Sequence, residues 1–69
     1  MKIAYTYHAR AQTWERDITR SEVNKAVLNG SKSRGKGNKT LLTDTSQNIC
    51  VIAVNEHKNR WIVITAYRI

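Results

Sequence analysis

Hydrophobic and polar positions alternate weakly from Met1 to Tyr7, which fits a short edge strand or a plain lead-in. From Tyr7 the period lengthens. Tyr7, Ala11, Trp14 and Ile18 follow one another at four, three and four residues, the spacing of one stripe of an α-helix. Thr6 stands where the N-cap of that helix belongs, and the stripe is expected to face a core. A second helix is marked at both ends. Thr19-Arg20-Ser21-Glu22 has the form of a capping box, in which the Thr hydroxyl accepts from the Glu22 amide and the Glu carboxylate reaches back. Val23, Ala26 and Val27 form its buried face, and Gly30 after Asn29 predicts a left-handed C-cap.

Past Gly30 the apolar pattern disappears for nine residues and returns with a period of two. Lys39 to Thr43 is a candidate strand, and Asp44 to Asn48 reads as a turn of small polar residues. Ile49 to Val54 is an almost unbroken apolar run, expected as a central strand covered on both faces. Glu56-His57-Lys58-Asn59 makes a hairpin loop, and Arg60 to Arg68 is the last strand. Along it Ile62, Ile64 and Ala66 share one face and Trp61, Val63, Thr65 and Tyr67 the other. The aliphatic face is the expected buried one. The predicted fold is therefore α+β: two short N-terminal helices packed on one face of a three- to four-stranded antiparallel sheet, as a single domain over residues 1–69.

The nine residues without apolar pattern carry the charge. Ser31 to Lys39 holds Lys32, Arg34, Lys36 and Lys39, no acidic residue, and two glycines, and is expected as a basic loop. Its self-repulsion is relieved only by something anionic. The whole chain has twelve Lys and Arg against five Asp and Glu, a net charge of +7. The pI near 10.1 lies above the value of about 9 that marks nucleic-acid-binding domains. RNA or another nucleic acid is the expected partner. Lys32, Arg34, Lys36, Lys39 and Arg60 are the candidate phosphate contacts, with Trp61, Thr65 and Tyr67 as an aromatic and hydroxyl strip. That strip either stacks bases or closes a second small core under the basic loop or a dimer partner.

Other chemistries find little support. The five acids Glu15, Asp17, Glu22, Asp44 and Glu56 are scattered, whereas two-metal nucleases need converging carboxylates. One Cys and two distant His make no zinc set, so neither a metal nor another cofactor is expected. The lone Cys50 makes no internal disulfide. No stretch approaches the roughly 18 apolar residues of a transmembrane helix, and no signal segment opens the chain, so a cytoplasmic protein is expected. A metal-free cut of RNA needs only a base, an acid and cations around the phosphate attacked by the 2′-hydroxyl. His8 is the first candidate, because an imidazole exchanges protons near neutral pH; His57 sits in a hairpin loop and is the weaker one. Arg16, Arg60 and Arg68 are candidate charge stabilisers.

His8-Ala9, Arg16-Asp17-Ile18, Glu22-Val23 and the terminal Thr65-Ala66-Tyr67-Arg68 resemble the pattern of a bacterial family of small toxin-type domains. That family is similar to the RelE-like, BrnT-like and colicin-type ribonucleases, the barnase–EndoU–colicin–RelE group, which cleave RNA without metal. By the resemblance His8 matches the family's His, Arg16 its second Arg, and Thr65 and Tyr67 its terminal pair; with Arg68 as a further phosphate stabiliser, the expected catalytic residues are His8, Arg16, Tyr67 and Arg68. The resemblance also implies an acidic antitoxin protein as a partner, which a +7 surface would attract. Gln12 stands where the family pattern has its first Arg. Two readings from other classes remain: a non-catalytic nucleic-acid-binding module and an inhibitor whose basic face occupies an acidic protein. An exposed sheet edge in so small a domain would also suit a homodimer.

Overall fold

The apolar run after the Asp44 turn becomes the middle of a sheet. The computed structural model describes residues 2–69, in the order β1 (Lys2–Tyr5), α1 (Tyr7–Glu15), α2 (Arg20–Asn29), β2 (Ser31–Arg34), β3 (Lys39–Asp44), β4 (Ile49–Glu56) and β5 (Arg60–Arg68). The strands lie side by side as β1-β5-β4-β3-β2. β2 to β5 form an antiparallel meander, and β1 pairs in parallel with the outer edge of β5. The architecture is α+β, with a five-stranded mixed sheet in place of three or four antiparallel strands. The lead-in forms the short edge strand from Lys2; Met1 lies outside the described residues.

The additional antiparallel strand comes from the basic segment. Ser31 to Arg34 pairs with Thr40 to Thr43, which leaves only Gly35 to Asn38 as the turn. An edge strand needs backbone partners rather than apolar side chains, and lysines along it discourage pairing with a further chain. Gly37 takes the left-handed backbone of this turn, at φ 63°.

Helix α2 follows its sequence signals at the start and departs from them at the end. The Thr19 hydroxyl accepts from the Glu22 amide at 3.1 Å, and the Glu22 carboxylate accepts from the Thr19 amide at 2.9 Å. Val23, Ala26 and Val27 are buried against β3 and β4. Gly30, however, is extended at φ −70° and ψ 157°. Its glycine is required by crowding: a Cβ there would stand 2.5 Å from the Ala26 carbonyl oxygen and 3.0 Å from that of Thr43. The chain thus passes from helix to strand through a gap with room for hydrogen only.

Helix α1 starts at the expected cap, where the Ala9 amide donates to Thr6 Oγ1 at 3.0 Å. It buries the opposite stripe from the expected one. Ala9 and Thr13 face the sheet, while Tyr7 and Trp14 are 88% and 87% exposed. Ala9 lies about 200° around the helix from Tyr7. Small side chains let the helix backbone approach the sheet closely, and aromatic bulk would hold it away. Only Ile18 of the predicted stripe is buried, after the chain turns at Asp17 through a left-handed φ of 56°.

The faces of β5 are also corrected. Ile52 pairs with Thr65 but Ala53 pairs with Val63, so Ile64 is an extra residue and the alternation inverts there. Trp61, Val63 and Ala66 therefore share the helix-covered face with Ile49, Val51 and Ala53, all buried. Ile62, Thr65 and Tyr67 point to the other face, which no helix covers. β4 is central but covered on one side only; Cys50 is buried, while Ile52 and Val54 are half-buried.

Two carboxylates tie stability to pH. Capping hydrogen bonds, led by the Thr19 amide, hold Glu22 below its ordinary value of 4.5. Asp44, which accepts from the Ser46 hydroxyl and amide and from Gln47, is likewise lowered from 3.8, chiefly by Ser46. A lowered folded-state pKa contributes stability above the unfolded value that is lost as pH falls through the folded one. The thermal midpoint should therefore hold from pH 7 to about 5 and fall below about 4.5. The Glu22→Gln/Asp44→Asn double variant should show a shallower acid slope. Gly30→Ala should cost about 1–3 kcal/mol in urea unfolding, from overpacking against fixed backbone.

Candidate nucleic-acid interface

β1 accompanies β5 only as far as the Tyr5–Val63 pair. Beyond it the outer edge of β5 offers backbone groups with no strand to receive them, and α1 takes over that role. Thr6 Oγ1 donates to the Ile64 carbonyl at 3.4 Å, and Arg16 Nη1 donates to the Ala66 carbonyl at 2.8 Å. The same Arg16 nitrogen lies 3.4 Å from Thr65 Oγ1. The helix is thus fastened along the second half of β5 at both of its ends.

That attachment brings Arg16 of the predicted catalytic set to Thr65. His8, Gln12 and Arg16 recur every four residues and form one stripe of α1, which ends on the residue touching Thr65. Thr65 and Tyr67 share the uncovered face of β5. His8 is exposed, and among the described residues its imidazole makes no hydrogen bond. Tyr67 stands opposite Cys50, whose thiol, with partial burial, raises the phenol above the ordinary value of 10.0. The phenol therefore stays protonated at neutral pH, suited to donating a hydrogen bond or a proton and not to acting as a phenolate base.

Arg68 lies elsewhere. It pairs with Ile49 on the helix-covered face and donates to the Asp17 carbonyl at 3.1 Å and to Glu22 Oε2 at 3.3 Å. It pins the junction between the helices to the last strand, away from Tyr67. Among the described residues no group of three or more His, Cys, Asp or Glu side chains is placed to hold a metal ion, and no helix is long and apolar enough to cross a membrane.

The predicted binding residues divide between the two faces of the sheet. Lys39, Arg60 and Thr65 belong to the uncovered face, where Arg60 faces Glu56 at 3.8 Å. Lys36 lies in the turn after β2. Lys32, Arg34 and Trp61 converge on the opposite face, around a recess whose further lining includes Thr40 and Asn55. Trp61 is only 4% exposed and presents no free ring face, so it is not the stacking residue the alternation implied. Thr40 and Asn55 were not singled out from the sequence. Their signal is register, since Thr40 pairs with Arg34 and Asn55 with Trp61, and register is not visible before the strands are aligned.

A family model described as a domain of unknown function, DUF4258, matches residues 5–68. The chain belongs to the DUF4258 family. No curated protein and no solved structure matches it. The matched span of this DUF4258 domain runs from Tyr5, the last residue of β1, to the end of β5, and so includes both the α1 stripe and the strand to which Arg16 is fastened.

Because Arg16 satisfies the Ala66 carbonyl, Arg16→Ala should destabilise this DUF4258 domain by about 1–2 kcal/mol. Urea unfolding should show a lower midpoint with an unchanged m-value.

Proposed function

We propose that this domain is a metal-independent endoribonuclease that cleaves RNA through attack of the ribose 2′-hydroxyl on the adjacent phosphate. The observation that carries the reading is the contact of Arg16 with Ala66 and Thr65, which ties the C-terminal end of the His8–Gln12–Arg16 stripe to the last strand. In this reading His8 withdraws the 2′-hydroxyl proton or supplies one to the leaving 5′-oxygen. Arg16, already oriented by the strand, stabilises charge on the crowded phosphate. The protonated Tyr67 phenol donates to a non-bridging or leaving oxygen. The resemblance of the His-Ala, Arg-x-Ile and Thr-x-Tyr motifs to toxin-type ribonucleases supports the same assignment. An acidic antitoxin would then be the natural silencing partner of a +7 chain, and the cytoplasm the compartment of both.

A second reading, a nucleic-acid-binding module without turnover, is favoured by two details. Gln12 occupies the middle of the stripe where a cation would serve cleavage, and Arg68 is engaged by Glu22. Turnover separates the readings. Total RNA incubated with the protein in EDTA should be cut, and His8→Ala, with an unchanged circular dichroism spectrum, should cut at least about 100-fold more slowly. RNA bound but intact with the wild type would favour the binding module. Equal cleavage by His8→Ala would remove the imidazole from the mechanism.

A further inference from the structure

On the helix-covered face, four neighbouring strands contribute to a recess of about 400 Å³. Lys32 and Arg34 come from β2, Thr40 from β3, Asn55 from β4 and Trp61 from β5. Alternation places Lys32 and Arg34 on one face of β2, and the pairs Arg34–Thr40 and Asn55–Trp61 bring the strands' polar groups to the same end of the sheet. No carboxylate lines the recess; the neighbouring Glu56 belongs to the opposite face with Arg60. Among the described residues, the side chains of Lys32, Arg34, Thr40 and Asn55 make no hydrogen bond or ion pair within the chain. Lys32 is nevertheless positioned, with Nζ 5.6 Å from the centre of the Trp61 ring, where the face of an indole attracts a cation.

We infer that this recess binds a phosphate group. Two adjacent cations with no competing acid select an anion. The Arg34 fork and the Lys32 point charge address phosphate oxygens in complementary ways, and the Thr40 hydroxyl supplies a further donor. Asn55 offers both a donor and an acceptor, enough for the polar edge of a base attached to that phosphate. The buried Trp61 does not stack; it aims Lys32 and forms the apolar floor. The choice of an RNA backbone as the source of the phosphate rests on the function proposed above, while the phosphate chemistry does not. Tyr67 stands six positions beyond Trp61 on β5, about 20 Å along the strand, and the two lie on opposite faces. The recess is therefore an anchoring subsite for a part of the strand remote from the bond that is cut, and a free nucleotide would satisfy the same groups.

The test uses the full chain carrying Trp14→Phe, so that Trp61 is its one tryptophan. It is titrated with a 2′-O-methyl oligouridylate decamer, which lacks the attacking hydroxyl, and separately with AMP. The expected result is a change in Trp61 emission that saturates. Lys32→Gln/Arg34→Gln should weaken that binding at least tenfold and lower the salt slope by roughly one. Thr40→Val/Asn55→Leu should weaken binding with the salt slope unchanged, and Lys36→Gln/Lys39→Gln, an equal loss of charge outside the recess, should have a smaller effect. Tighter binding of the decamer than of AMP marks a nucleic-acid backbone as the source, and a response to AMP alone marks a free nucleotide. The inference is overturned if neither probe alters Trp61 emission, or if removing Lys36 and Lys39 weakens binding as much as removing Lys32 and Arg34. RNA cleaved by the Lys32→Gln/Arg34→Gln variant with an unchanged KM would overturn the anchoring role and leave the ribonuclease reading intact. Loss of that reading through intact RNA would leave the phosphate titration unaffected.

Discussion

One extra residue in the last strand governs the arrangement of the whole domain. Because Ile64 is inserted opposite the step from Ile52 to Ala53, the side-chain alternation of β5 changes sign halfway along. Trp61 and Val63 before the bulge and Ala66 after it can all enter the core. Without it, Ala66 would turn outward and Thr65 and Tyr67 would be buried under α1. The bulge also marks the point at which β1 ceases to pair and α1 begins to satisfy the strand's outer edge. Bulges sharpen local twist and re-aim the side chains around them. Here that re-aiming gives one strand two uses: its first half closes the core beside the cationic recess, and its second half presents a hydroxyl and a phenol to solvent.

The elements themselves were legible because their signals are local. A capping box needs only residues 19 to 22, and a hairpin turn needs only polar residues between two apolar runs, so α2, β3, β4 and β5 appear close to where the pattern placed them. The inward face was read correctly for α2, where Val23, Ala26 and Val27 are buried, but not for α1 or β5. The Tyr7–Ala11–Trp14 stripe is a correct helical repeat, yet the helix turns Ala9 and Thr13 to the sheet because contact distance there is set by small side chains. Strict alternation misassigned Trp61, since nothing in the residues Ile62-Val63-Ile64 distinguishes a bulge from a regular strand. β2 was hidden for a different reason: its pairing is made by the backbone of a segment whose side chains all point to charge and exposure. Of the candidate site, His8, Arg16, Thr65 and Tyr67 were named from residue type, strand alternation and the family resemblance, and the structure joins only Arg16 to Thr65. The diversion of Arg68 to Glu22 and the arrival of Thr40 and Asn55 depend on tertiary register.

Cations in this chain divide by employment. Arg16 and Arg68 hold the helices to the last strand through carbonyl oxygens and a carboxylate, and Arg60 faces Glu56. Lys32 and Arg34 have no carboxylate or hydrogen-bond partner among the described residues, and Lys32 meets only the Trp61 ring. In a core this small, few contacts hold each helix, so two arginine anchors at one helical junction matter more than they would in a larger domain. The unpartnered pair destabilises the compact state through mutual repulsion. The phosphate proposed for this recess would relieve that repulsion when bound.

The employment of Arg16 bears directly on what the α1 stripe can do. A guanidinium held by a backbone carbonyl at 2.8 Å loses one donor to structure but keeps the others, and it loses little further freedom when a phosphate arrives. Preorganised charge of this kind is more effective at a transition state than a mobile lysine, because the cost of ordering it is met during folding. Gln12, one turn earlier on the same stripe, offers a neutral amide in place of a second charge. The stripe thus combines one fixed cation, one neutral donor and one imidazole. In the proposed reaction that set would orient the phosphodiester and stabilise its developing charge through a single guanidinium.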